Sequence, residues 1–258
     1  MAHVAESLHW YTRDGEPAYE VPAAKGGMRP ATLRDARKLN LVPSVTSIIR
    51  CASAPGLERW KVQQAILAAL TLPKVDGEDE DAYLSRILRD SQEQAKKAAA
   101  KGTDIHAAIQ GFYQDETPRE DYRKHVNAAV CTVNSWHDSP LGRWTAERSF
   151  SHALGFGGKV DLSCGNAVVD FKTKEFDTTA DLKTWDEHAM QLAAYRHGLG
   201  LEKARCAIVY VSSSVPGLAK LIEIPEDELQ RGWTCFYSLL HFWQAKNSYR
   251  SAFERLAA

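Results

Sequence analysis

The segment Gly158-Lys-Val-Asp-Leu-Ser-Cys-Gly-Asn-Ala-Val-Val-Asp-Phe-Lys172 carries two carboxylates and an amine at spacings that a β-hairpin would bring together. Gly165-Asn166 has the composition of a two-residue turn, and such a turn fixes a register. Counting outward from Cys164 against Ala167 sets Ser163 against Val168, Leu162 against Val169 and Asp161 against Asp170. Directly opposed side chains on neighbouring strands stand about 5 Å apart, and like charges there are unfavourable. A bound cation reverses the sign. Alternation along the strand adds Lys172 to the polar face of Asp170 and extends that face to Lys174, a further candidate for phosphate contact. The same alternation sends Val160, Leu162, Val169 and Phe171 to an apolar face. On the strand before, a three-residue turn Ala153-Leu154-Gly155 would set Glu147 against Asp161, although a slip of one residue would turn Glu147 away.

Oxygen ligands of this kind suit a hard cation such as Mg²⁺ or Mn²⁺, which accepts bound water and a substrate phosphate in its shell. Phosphodiester hydrolysis fits that chemistry, with Lys172 placed to hold a water or to stabilise charge developing on phosphorus. A lone Asp-x-Lys is an exposed strand face in most proteins. The opposed Asp161 is what lifts this one above that background.

The elements around the hairpin follow from periodicity. Residues 1–43, with Gly26-Gly27 and the basic run Arg29 to Lys38, read as an irregular or β-rich lead-in. Ser44 or Thr46 caps a helix over Val45, Ile48 and Ile49, and Glu58 to Leu72 forms a second helix stopped by Pro73. The acidic run Asp76 to Asp81 reads as a solvated loop. Ala82 to about Tyr113 is helical, with Gly102 a point of division, and Asp121 to Trp136 forms another helix with a Pro140-Leu141-Gly142 exit. The period then changes. Strands are predicted over Trp144 to Lys174, Ala204 to Val211 and Leu218 to Ile224, with helices over Asp181 to Leu199 and from Pro225 to about Leu256. The fold class is therefore α/β, a central mixed sheet flanked by helices with a helical N-terminal portion. The expected organisation is a lead-in (1–43), a mainly helical portion carrying His106 (44–140) and the site-bearing core (141–258), in one integrated domain.

Composition narrows the class further. The 258 residues include 32 Lys+Arg and 33 Asp+Glu, a net charge of -1, so any nucleic-acid surface must be local. Arg29, Arg34, Arg37 and Lys38 are candidates, although short basic clusters are usually solvated surface. Trp10, Tyr11, Trp60 and Trp185 could stack on bases, but aromatics are more often core. The five cysteines (Cys51, Cys131, Cys164, Cys206, Cys235) are scattered, without the spacing of a zinc site or disulfide framework. Without an apolar leader or spanning segment, a cytoplasmic protein with no membrane partner is expected.

Glu147, Gly158-Lys-Val-Asp161, Val168-Val-Asp170-Phe-Lys172-Thr and Gln191-Leu-Ala-Ala-Tyr195, in that order, resemble the motif series of RecB-like PD-(D/E)xK nucleases. The resemblance covers about residues 102 to 211. It implies a restriction-endonuclease-like core and a catalytic set of Glu147, Asp161, Asp170, Lys172, Gln191 and Tyr195. Metal ligation is implied for His106, Asp161, Asp170, the Phe171 backbone carbonyl, and Glu147 directly or through water. Gln191 and Tyr195 are one helical turn apart and can share a face. Pro43-Ser-Val-Thr-Ser-Ile-Ile is similar to phage-type exonucleases and mitochondrial genome maintenance exonucleases. That likeness implies DNA with a free end as substrate, work in recombination, repair or replication, and a recombination or single-strand-binding protein as a partner. The iron–sulfur cluster of some relatives is not expected, since its four-cysteine spacing is absent. The rival readings are a site-specific endonuclease, which would dimerise on a symmetric target, and a non-catalytic nucleic-acid-binding or assembly module with the same fold.

Overall fold

The computed structural model describes residues 9–52, 55–137 and 144–251. The segment after Trp144 forms an antiparallel meander of β5 (Thr145–His152), β6 (Phe156–Cys164) and β7 (Ala167–Lys174). Gly155, at φ 90°, supplies the left-handed residue of the turn between β5 and β6. Strand β8 (Arg205–Ser212) pairs parallel to β7, and β9 (Ala219–Ile224) closes the sheet antiparallel to β8. The order is β5-β6-β7-β8-β9, a mixed five-stranded sheet. A parallel pair needs a crossover, and α6 (Asp186–Gly198) lies in it.

Helices cover both faces. On one, α6 and α7 (Glu226–Lys246) pack with α2 (Val45–Ile49) over Val168, Cys206 and Ile208. On the other, α4 (Glu80–Tyr113) and α5 (Arg123–Trp136) bury Ile105, Ile109, Val126 and Val133 against Leu162, Val169, Phe171 and Val209. Helix α3 (Pro55–Thr71) packs along α4. Helix α6 lacks an exposed stripe because it is enclosed between sheet and α7, with every residue from His188 to Arg196 buried.

Several sequence expectations need correction. Helix α4 runs unbroken through Gly102, since one interior glycine costs only about 1 kcal/mol and the packing of Ile105 and Ile109 holds the helix. The acidic run is loop only at its start, because Asp79 caps α4 by accepting from the Ala82 amide at 2.7 Å. Helix α6 begins at Asp186 rather than Asp181. The preceding residues are held irregular, with the Lys183 carbonyl accepting from Tyr210 and the Thr178 and Ala180 carbonyls from Lys220. Helix α7 stops at Lys246, where the chain reverses at Ser248 (φ 45°) and brings the Tyr249 hydroxyl within 2.9 and 2.6 Å of the Ala36 and Leu41 carbonyls. The expected Pro140-Leu141-Gly142 exit and the end near Leu256 lie outside the described residues.

The lead-in is more ordered than its sequence suggests. It comprises β1 (Trp10–Tyr11), β2 (Glu20–Pro22), β3 (Met28–Pro30), α1 (Leu33–Leu39) and β4 (Val42–Pro43). Trp10, Val21, Ala36 and Val45 belong to the same buried cluster as α6 and α7. Two of the basic residues have structural partners. Arg29 makes a two-pronged pair with Asp35 at 2.7 Å, and Arg37 donates to the Asn247 carbonyl at 2.6 Å. Among the described residues no helix is long and apolar enough to cross a membrane.

Candidate metal and phosphodiester site

The hairpin register is the one that the Gly165-Asn166 turn predicts. Cys164, Ser163 and Leu162 pair with Ala167, Val168 and Val169, and the ladder stops there, one step before Asp161 and Asp170. The Phe171 amide, without a ladder partner on β6, donates instead to Asp161 Oδ2 at 2.8 Å. The neighbouring pair behaves alike. Ala146↔Leu162 and Arg148↔Val160 flank Glu147 and Asp161, but no ladder pair forms between those two. Glu147 adopts φ 56°, a left-handed conformation that is uncommon outside glycine.

Both strands change face at this point. Leu162 joins the α4–α5 cluster, whereas Val160 joins the α6–α7 cluster, so the predicted alternation that grouped Val160 with Leu162 fails across Asp161. The physical reason is the left-handed residue in β5, which rotates its strand locally and takes the paired strand with it. The Glu147 carboxylate consequently turns to Lys159, with which it forms a close ion pair.

Asp170 is 2 % exposed. Its Oδ1 accepts from Gln191 Nε2 at 2.8 Å, and its Oδ2 lies 2.7 Å from Lys172 Nζ, off the direction of a hydrogen bond. Lys172 Nζ donates to Gln191 Oε1 at 3.1 Å, while Gln191 Nε2 also reaches the Tyr195 hydroxyl at 2.9 Å. An ammonium can only donate and an ionised carboxylate can only accept, so this network forces the orientation of the Gln191 amide. Gln191 and Tyr195 are thus drawn together with Asp170 and Lys172, as their helical spacing suggested.

His106, on α4, approaches from the other side. Its Nδ1 is 3.8 Å from Asp161 Oδ2, beyond hydrogen-bond length, and its ring meets Phe171 edge-on at 6.3 Å. Burial lowers the His106 pKa, with Lys172 adding to the effect. The charges of Asp170 and Glu147 and a hydrogen bond with the Phe171 backbone oppose it.

The electrostatics express crowding of like charge. Burial first, and the charge of Asp170 second, raise Asp161 well above the usual carboxylate range, against the pull of Lys172 and the Phe171 amide. Burial alone would favour neutral Lys172, but the adjacent Asp170 and the field of Asp161 outweigh it and keep the amine protonated. Tyr195, raised by burial and by both aspartates, remains a neutral phenol.

Among the described residues no group of three or more His, Cys, Asp or Glu side chains is assembled closely enough to hold a metal ion. The donors nevertheless suit a hard cation in kind. Two carboxylates face each other where the ladder parts, one of them disfavoured as an anion by burial and by the other, and the buried Asp170 Oδ2 has the Lys172 ammonium beside it but no aligned hydrogen bond.

Gly158 connects the two motifs. A Cβ there would lie 2.9 Å from the ring of Tyr195 and 2.9 Å from that of Phe150, so the glycine is where the Tyr195 ring rests on β6. Gly158→Ala is expected to lower stability by about 1–3 kcal/mol through overpacking. Chemical denaturation should show a lower midpoint, and wild-type stability would refute this packing role.

The residue that sequence reasoning missed is Lys159. Two positions before Asp161, it carried a visible signal, since alternation would already have put it on the polar face. Trp10 and Tyr11 are buried, while Trp60 and Trp185 are exposed, at 39 % and 56 %.

No protein-family model matches the chain, and no curated protein matches it. Solved structures do. An alkaline exonuclease from Laribacter hongkongensis aligns at 13% identity and TM-score 0.40, covering 83% of this chain and 93% of that one. A provisionally named exonuclease from Eubacterium rectale aligns at 14% identity and TM-score 0.40, covering 57% of this chain and 68% of that one. Identities and scores this low leave the activity to be argued from the site.

Proposed function

We propose that this chain is a divalent-metal-dependent DNA nuclease of the PD-(D/E)xK type that hydrolyses phosphodiester bonds, with an exonuclease favoured. The observation that carries the reading is the opposition of Asp161 and Asp170 at the point where β6 and β7 part, with Lys172 held beside them by Gln191. A fold keeps two opposed acids, one buried and one half-buried, at a cost in stability, and a cation-dependent reaction gives that cost a use.

Mg²⁺ or Mn²⁺ held by Asp161 and Asp170, with the Phe171 carbonyl and His106 as further donors and Glu147, paired with Lys159, as a donor directly or through water, would supply Lewis acidity to the phosphate and acidify a water. Lys172, kept protonated, donates to a non-bridging phosphate oxygen and stabilises the charge that grows there. Gln191 fixes Lys172 and Asp170 relative to one another, and the Tyr195 hydroxyl fixes Gln191. The exonuclease choice and the DNA substrate rest on the motif series described above.

The test is incubation of the purified protein with end-labelled linear single- and double-stranded DNA and with closed circular DNA, in EDTA, Mg²⁺ or Mn²⁺. Metal-dependent loss of linear DNA alone is expected. The Lys172→Ala variant should cleave about 10²-fold more slowly or worse. Cutting of the circles would establish an endonuclease instead, and binding without cleavage in any metal would establish a non-catalytic module.

A further inference from the structure

The lead-in builds one wall beside the acids. Tyr11 packs on β6 at Gly157, where a Cβ would lie 3.0 Å from the Tyr11 Cβ, and Ser44 bridges to the same glycine. Gly157 is four residues from Asp161 along β6. On this support His9 and Tyr19 stack, with ring centroids 4.5 Å apart and planes 26° from parallel. Tyr11 meets Tyr19 edge-on at 5.6 Å, and their hydroxyls are 2.8 Å apart. Tyr11 is buried, Tyr19 half-buried and His9 exposed, so the aromatic stack runs outward from the core and ends in an open imidazole.

Lys159 lies between this stack and the acids. It pairs with Glu147 and interacts electrostatically with both Tyr19 and Asp161. Partial burial first, and the charges of Arg50 and Lys159 after it, lower the His9 pKa. A solvent-facing aromatic stack next to cations is the combination that binds a single strand, with the base on the π-face and the phosphate on the charge. Inside a duplex, away from its ends, both faces of a base are covered by its neighbours, so an isolated aromatic ledge there selects a base that has left the stack.

The geometry points to a nucleobase seat on His9 and Tyr19, with Lys159 taking the attached phosphate, that admits an unpaired nucleotide of single-stranded DNA next to Asp161 and Asp170. This assignment rests on the nuclease reading and adds to it the form of the substrate. The seat accepts any base, because stacking needs a π-face rather than a hydrogen-bond pattern.

Fluorescence anisotropy of a labelled single-stranded oligonucleotide in EDTA tests the seat without cleavage. His9→Ala and Tyr19→Ala are expected to weaken binding about tenfold each, and Tyr19→Phe, which keeps the ring, to bind within about twofold of wild type. An abasic nucleotide walked along the oligonucleotide should weaken wild type at one position and add no loss in His9→Ala there. His9 is exposed, so its removal leaves the fold intact, which circular dichroism checks. If His9→Ala and Tyr19→Ala bind like wild type while wild-type protein degrades DNA with metal, the seat is wrong and the nuclease reading stands. If wild-type protein neither binds nor cleaves DNA of any form, the nuclease reading falls and the seat with it.

Discussion

Asp170→Asn is expected to reduce metal-dependent DNA cleavage by about 10³-fold or more, and no concentration of Mg²⁺ or Mn²⁺ should restore it. The substitution keeps shape and one carbonyl oxygen, which can still accept from Gln191 Nε2, as Asp170 Oδ1 does at 2.8 Å. What it removes is the charge and the second oxygen. Lys172, which lies 2.7 Å from that oxygen, would lose its ion partner and meet an amide NH2 in its place, so it is held only by its bond to Gln191 Oε1. Binding of DNA in EDTA should therefore persist when turnover is lost, since Lys159 and the surface around it are untouched. Single-turnover cleavage across a manganese titration, read beside anisotropy, separates the two effects. Retention of cleavage within tenfold of wild type would remove Asp170 from the chemistry, and with it the argument from the opposed acids.

The Gly165-Asn166 turn made the Asp161–Asp170 opposition readable in the sequence, because a two-residue turn leaves no freedom of register. The Ala153-Leu154-Gly155 turn did the same for Glu147 and Asp161: paired residues on either side of them keep the predicted register. The turn could not reveal what happens inside the ladder. The left-handed backbone of Glu147 and the change of face that follows it at Asp161 leave no mark in the local sequence, and a strictly alternating reading had to place Val160 wrongly. The Gln191–Tyr195 pairing followed from helical spacing, but the role of Gly158 as the seat of the Tyr195 ring required the packing of α6 on β6. The lead-in was the least legible portion. Its strands are two or three residues long and take their order from contacts with α6, α7 and β6, contacts that no local pattern encodes. Helix ends failed for the same reason at Asp181 and at Lys246, where carbonyl partners distant in sequence hold the chain before α6 and turn it after α7.

Asp161→Asn should separate stability from activity, and its effect on stability should change sign with metal. In the folded protein the Asp161 carboxyl titrates well above its ordinary value of 3.8, through burial and the charge of Asp170. The folded state therefore holds a proton that the unfolded chain releases near that ordinary value. The associated stability is full below the unfolded pKa and is lost as pH rises through the raised folded pKa. In EDTA above that window, wild-type protein carries two facing carboxylates with Lys172 as their shared cation. Asparagine has no proton to lose, and its carbonyl oxygen can keep the 2.8 Å bond from the Phe171 amide. The variant is expected to be more stable than wild type by on the order of 1 kcal/mol at high pH in EDTA, and to converge with it in acid. Metal inverts the comparison. A cation bound only by the folded wild type adds about 2.7 kcal/mol at a hundredfold excess over its Kd, and the asparagine variant, missing one carboxylate, gains far less. Melting temperatures measured across pH in EDTA and in Mn²⁺ provide the check, with cleavage by the variant lost throughout. A variant that is no more stable than wild type in EDTA would show that Lys172 already neutralises the pair. A wild type that Mn²⁺ does not stabilise would show that the two acids are not a metal site.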